Sequence, residues 1–237
     1  MTGPESNLTA ELERARRMHD ERAASARLAS ALDRVAEFQA RRLDATYGDL
    51  ARDPRYREAI AFFRSDLYGP GDFSRRDTDL AKVAPMMQRL LPSRVVATVT
   101  MAVQLSALSQ ELDRALVVKL GLDAPLSVAA YCSAYRASDN RDARAQQIAL
   151  IGSVGNGLDR YVHAPLLRGT LAAMRLPARA AGLTTLQRFL ERGAAGFASM
   201  RGATEFLDTI YTRETALMNA IFAGNNAPFP DPRLPKP

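Results

Sequence analysis

Between residues 8 and 222 the apolar side chains recur at three- and four-residue intervals, and no segment alternates apolar and polar positions between turn residues. The pattern predicts an all-α fold. Leu28, Leu32, Val35 and Phe38, followed by Leu43 and Tyr47, draw one apolar face along a long first helix. The stretch before it is richer in charge and poorer in large apolar groups. Residues 1–26 therefore read as a charged helical arm beside an all-helical domain spanning 27–224.

Helix boundaries come from turn chemistry. Asp53-Pro54 offers a cap and a first-turn proline for a helix reaching about Tyr68, in which Tyr56, Ile60, Phe63 and Leu67 share a face that Phe62 widens. Gly69-Pro70-Gly71 ends it, and Ser74 with Asp77 has the spacing of a capping box for the next helix, which Pro85 should kink. Pro92-Ser93 opens one helix or two, closed by Gly121. Further helices are predicted over 125–137, 141–163, 166–175, 185–200 and 203–223, the last stopped by Gly224. The sum is a single compact multi-helix bundle of about eight helices. Residues 225–237 hold five of the thirteen prolines and read as an extended Pro-rich tail.

Composition narrows the setting. A chain of 237 residues can bury a full core without staples, and its single cysteine, Cys132, allows no internal disulfide, which points to a reducing, cytoplasmic setting. The most apolar run, Val95 to Leu108, is interrupted by Thr98, Thr100, Gln104 and Ser106, so no transmembrane helix and no membrane association are expected. Glu5, Glu11 and Glu13 lie among the first arginines without an apolar run, the wrong pattern for a signal or transit peptide. The net charge of +6 invites a nucleic-acid reading, but the arginines interleave with acids and only three of 32 basic residues are lysine. No nucleic-acid partner is expected.

Phe62-Phe63-Arg64-Ser65-Asp66-Leu67-Tyr68 resembles the signature of an uncharacterised bacterial family named for a Phe-Phe-Leu-Glu-Glu-Leu-Tyr (FFLEELY) motif. Phe62, Phe63, Leu67 and Tyr68 match, Asp66 replaces Glu, and Arg64 and Ser65 depart. The resemblance implies helical structure and brings no activity. Read from the residues alone, the aromatic pair belongs to a packed core.

Candidate chemistry is sparse. Arg75 and Arg76 fall in the first turn of a helix, where free amides already favour anions, so either Asp72, Asp77 and Asp79 or a ligand would answer them. Asp159 and His163 lie at i,i+4, half of a metal site whose other half is missing, and a helix-terminal pair is favoured. His19, between charged residues, is expected to be exposed. Gly152, Gly155 and Gly157 lack a phosphate-loop order and suit close helix approach or a break. Cys132 has no histidine near it in sequence and reads as a buried inert thiol. No catalytic set, metal site or cofactor is assembled. Two readings follow: a non-enzymatic interaction protein, self-associating or binding a protein partner, or a bundle pocket for a small anionic or tetrapyrrole ligand. Candidate contacts for the pocket are Tyr68, Arg75, Arg76, Tyr131, Tyr135 and His163.

Overall fold

The computed structural model describes residues 4–67, 73–163 and 165–232, and among them it contains twelve α-helices and no strand. In chain order these are α1 (Pro4–Ala23), α2 (Ala26–Thr46), α3 (Gly48–Arg52), α4 (Arg57–Phe62), α5 (Ser74–Leu90) and α6 (Ser93–Leu120). They continue as α7 (Val128–Ala137), α8 (Arg141–Val162), α9 (Pro165–Ala173), α10 (Arg175–Ala180), α11 (Thr184–Ser199) and α12 (Thr204–Phe222). A π-helical turn, Phe63–Leu67, follows α4.

The count exceeds the expected eight because short elements replace long ones. Ser25 breaks α1 from α2 by accepting the Leu28 N–H at 3.2 Å. Asp53 takes the Arg55 N–H on its side chain at 2.8 Å, which makes a turn, and α4 begins only at Arg57. Pro177 sits in the first turn of α10, where its missing N–H removes no hydrogen bond. The expected capping box at Ser74 and Asp77 is replaced: the cap position of α5 is Phe73, which makes no side-chain cap, and the Asp77 carboxylate is engaged elsewhere.

The central element is α6. Its length and composition would suffice to cross a membrane, yet here it packs against α1, α2, α7 and α8 and buries Leu112, Leu116 and Val117. It is one continuous helix that ends at Gly121, whose φ of +92° favours glycine. Within the charged segment, α1 lies on α5 and α6 with Leu8, Leu12 and Ala15 buried, and Arg14 donates from Nε to Glu111 at 2.6 Å. α8 passes unbroken through its glycines. A side chain at Gly155 would collide with Leu207, and one at Gly157 would approach Thr98 to 2.6 Å, so close packing is what these positions serve.

Four core clusters result, two of them large. The first gathers Val35 and Phe38 of α2, Leu116 and Val117 of α6, Tyr131 and Cys132 of α7, and Met218 and Ile221 of α12. Each fully buried aliphatic side chain there contributes roughly 1.5–3 kcal/mol. Phe229, beyond the last helix, enters this cluster with its ring 6.2 Å from Phe38 and 6.1 Å from Tyr131. The second cluster gathers Tyr47, Tyr56, Phe197, Met200 and Phe206, with Phe63 of the π-helical turn packed on it. Phe62 points instead toward Phe189, ring centroids 5.3 Å apart.

Candidate functional site

Where the two clusters meet, packing is incomplete. A cavity of about 90 Å³ remains among α2, α7, α8 and α12. Its lining is mixed: Ile148, Ile151, Ile210 and Met218 are apolar, and Arg42, Arg144, Tyr131, Tyr135, Gln39 and Glu214 are polar.

Each polar residue arrives in register with an apolar stripe. Arg42 follows Val35 and Phe38 on α2, Arg144 precedes Ile148 and Ile151 on α8, and Glu214 stands between Ile210 and Met218 on α12. Helical periodicity therefore turns all three inward. Arg42 donates from Nη1 to Glu214 Oε1 at 2.6 Å, and the Tyr47 hydroxyl donates to the same oxygen at 2.7 Å. Burial works against the Arg42 charge, but Glu214 more than offsets it and holds the guanidinium above its usual range.

Arg144 is differently placed. Only 4% of it is exposed, it lies 4.3 Å over the Tyr135 ring, and Nη2 donates to the Leu112 carbonyl at a long 3.3 Å. Among the described residues it forms no ion pair. The Nε atoms of Arg42 and Arg144 are both buried without a hydrogen-bond partner. An unpaired buried donor costs about 1–3 kcal/mol, more when charged. Both donors belong to residues that line one cavity.

The surrounding acids and phenols fit that charge. Asp113 accepts from Gln39 Nε2 at 2.8 Å, and burial raises its pKa against the pull of Arg144 and Gln39. Burial likewise raises Tyr131 and Tyr135, with Arg144 and Arg42 opposing in both cases. Both phenols thus stay protonated at neutral pH and are able to donate. Arg64 of the π-helical turn is the exposed member of the lining, 3.5 Å from Asp44 at the cavity's edge.

Of the residues singled out from sequence, the cavity brings together Tyr131 and Tyr135. Arg75 is exposed on α5, and Arg76 is buried in a separate network with Asp77, Ser106 and the Asp66 carbonyl. His163, at the end of α8, sits 3.3 Å from Asp159 with its side chain half-exposed. Tyr68 lies outside the described residues. His19, expected at the surface, is partly buried against Asp77 with Nε2 2.9 Å from Oδ2, because α1 lies against α5. Cys132 is fully buried, and burial pushes its thiol up to about 11. Among the described residues no three His, Cys, Asp or Glu side chains converge as a metal site.

A larger recess of about 700 Å³ runs along α12 between Arg55 and Arg213. It is an open furrow. Its cations are already engaged, Arg55 by Glu205 and the Met200 carbonyl, Arg213 by Asp49 and the Thr46 carbonyl.

The chain belongs to a family described as Domain of unknown function (DUF8198), whose model matches residues 18–228. No curated protein and no solved structure matches it.

Proposed function

We propose that this member of a family without known activity is a small-anion-binding protein whose site is the cavity between α2, α7, α8 and α12. One observation carries the reading: the cavity is lined by two arginines, Arg42 and Arg144, each with a buried Nε that lacks a hydrogen-bond partner, and Arg144 makes no direct ion pair among the described residues. An anion in the cavity would lie beside both guanidinium groups and be attracted by them. The tetrapyrrole alternative lacks support, since a volume of about 90 Å³ is far below the several hundred Å³ of typical cofactor pockets. Phe63, which matches the FFLEELY signature, and Arg64, which departs from it, both join the lining from the π-helical turn.

Thermal unfolding of the full chain with sodium salts of several anions, at constant ionic strength and pH 7, tests this. At an anion concentration of 100 Kd the native state gains about 2.7 kcal/mol, and the midpoint rises accordingly. A midpoint indifferent to every anion would overturn the reading.

Self-association is a second reading, favoured by apolar side chains left in water on α9 to α11. Leu176 is 78% exposed, and Leu190 and Met174 are also exposed, on elements tied by the Arg175–Glu191 pair at 2.6 Å. Light scattering should then report a dimer that Leu176→Glu with Leu190→Glu dissociates. A wild-type monomer at high micromolar concentration would end that reading.

A further inference from the structure

We propose that one end of the helical bundle docks on an anionic phospholipid bilayer, a role beyond the anion-binding reading and independent of it. Charge distribution is the first support. The interleaving of arginines with acids breaks in two places, residues 80–110 and 160–190, the longest stretches of the chain without an Asp or Glu. The first holds Lys82, Arg89 and Arg94, the second Arg160, Arg168, Arg175, Arg179 and Arg188. The whole chain has 32 basic and 26 acidic residues, so these eight account for its entire positive excess and the remainder is slightly acidic.

The apolar side chains left in water fall in the same places. Of the eight large hydrophobic residues exposed among the described ones, six belong to these two segments: Met86, Leu90 and Leu91, and Met174, Leu176 and Leu190. Leu90 is 73% exposed at the corner where α5 turns into α6, with Arg89 and Arg94 beside it in the chain. Arg179 follows Leu176 by three positions, and Arg188 precedes Leu190 by two. Arg89, Arg94, Arg179 and Arg188 are all exposed and make no ion pair among the described residues, whereas Lys82 and Arg175 are held by Asp79 and Glu191.

The fold brings the two segments to one end. α8 runs antiparallel to α6: Arg144 reaches the Leu112 carbonyl, Gln147 donates to Ser109 at 2.8 Å, and Gly157 lies against Thr98. The start of α6, with the corner before it, therefore meets the end of α8, from which α9 and α10 continue.

Free cations beside protruding leucines and methionines are the two halves of an interfacial membrane site. The guanidinium groups meet lipid phosphates while the apolar tips enter the acyl boundary. Such docking needs no spanning run, so the interruptions between Val95 and Leu108 do not oppose it. Nucleic acid would pair the arginines and leave the leucines in water. A peptide helix needs an apolar groove, and these six side chains line neither the cavity nor the furrow along α12. A second copy would cover the leucines only by setting arginine against arginine. A fluid bilayer accepts protruding tips at any spacing and supplies the opposite charge.

Cosedimentation of the full chain at pH 7 with large unilamellar vesicles tests this, using phosphatidylcholine alone or with phosphatidylglycerol added to about one-third. The protein should pellet with the anionic vesicles, stay in solution with the neutral ones, and bind more weakly as salt is raised. Replacing Arg89, Arg94, Arg179 or Arg188 by Gln should cost about fivefold each. Leu90→Ser with Leu176→Ser should cost at least about tenfold at every salt concentration. These positions are exposed, so the variants retain the fold, and Tyr211→Ser, exposed on α12 outside both segments, should bind as wild type does. Equal binding to both kinds of vesicle, or to neither, overturns the proposal. If duplex DNA or polyglutamate binds more tightly than the vesicles and the leucine variants change nothing, the face is electrostatic alone and the proposal falls. A dimer in light scattering that anionic vesicles do not displace assigns the leucines to a second copy instead.

Discussion

Arg76 and Arg144 are both buried, both rest on aromatic rings, and both sit on helices that carry the core, yet their surroundings differ in kind. The Arg76 guanidinium lies between Phe73 and Phe189, 4.8 and 4.9 Å from the ring centroids. Its nitrogens are all engaged: Nε by Asp77 at 2.8 Å, Nη1 by the Asp66 carbonyl and Nη2 by Ser106, both at 3.2 Å. Asp77 passes the connection on to His19, so one residue ties α1, α5, α6 and the π-helical turn together. Arg144 has one ring, one long hydrogen bond and an idle Nε. A satisfied buried charge locks helices in place; an unsatisfied one stores binding capacity.

That contrast should be widest in stability. Arg76→Ala strands the Asp77 carboxylate and should cost about 3–5 kcal/mol in chemical denaturation, with anion binding retained wherever the fold persists. Arg144→Met, which removes a charge that has no direct ion pair among the described residues, should leave the ligand-free protein within about 1 kcal/mol of wild type or above it, while abolishing binding. Equal losses for the two variants would erase the distinction drawn here.

Two carboxylates sharpen it by titrating in opposite senses. Burial pushes Asp77 upward, but His19 and Arg76 outweigh that and hold it below its usual value. Its stabilising contribution is therefore present above the ordinary carboxylate pKa and lost as pH falls through the depressed folded value. Asp113 is raised by burial, so its contribution is full below the ordinary value and lost as pH rises through the folded one. Denaturation across the acid range should show Asp77→Asn erasing the acid-side loss, and Asp113→Asn raising stability at neutral pH. Both effects should be smaller than that of Arg76→Ala. The smallest belongs to the surface, where Arg213 holds Asp49 at about 2 through a hydrogen-bonded pair that is half in water. Asp49→Asn should cost at most about 1 kcal/mol above pH 4, less in high salt, and nothing once pH falls below about 2.

The cavity was partly legible in the chain. Tyr131 and Tyr135 stand at i,i+4 among the apolar residues of α7 and were natural candidates. Arg42, Arg144 and Glu214 were missed, although a signal existed: each occupies a position where the apolar stripe of its helix calls for a leucine or isoleucine. A charged residue on the buried face of an otherwise regular stripe is a stronger indication than charges clustered at a helix start. Arg75 and Arg76 show why, since the first is exposed and the second is spent on its own network.

Sequence by itself determined the helical class, the register of each stripe and the stops at Gly121 and Gly224, because these depend on residues within a few positions of one another. Tertiary structure decided the rest. His19 meets Asp77 because α1 lies against α5, and Glu214 meets Arg42 because α12 returns beside α2, pairings separated by 58 and 172 residues. The cavity exists because two core clusters close imperfectly at their seam, and that mismatch of volumes belongs to no single helix.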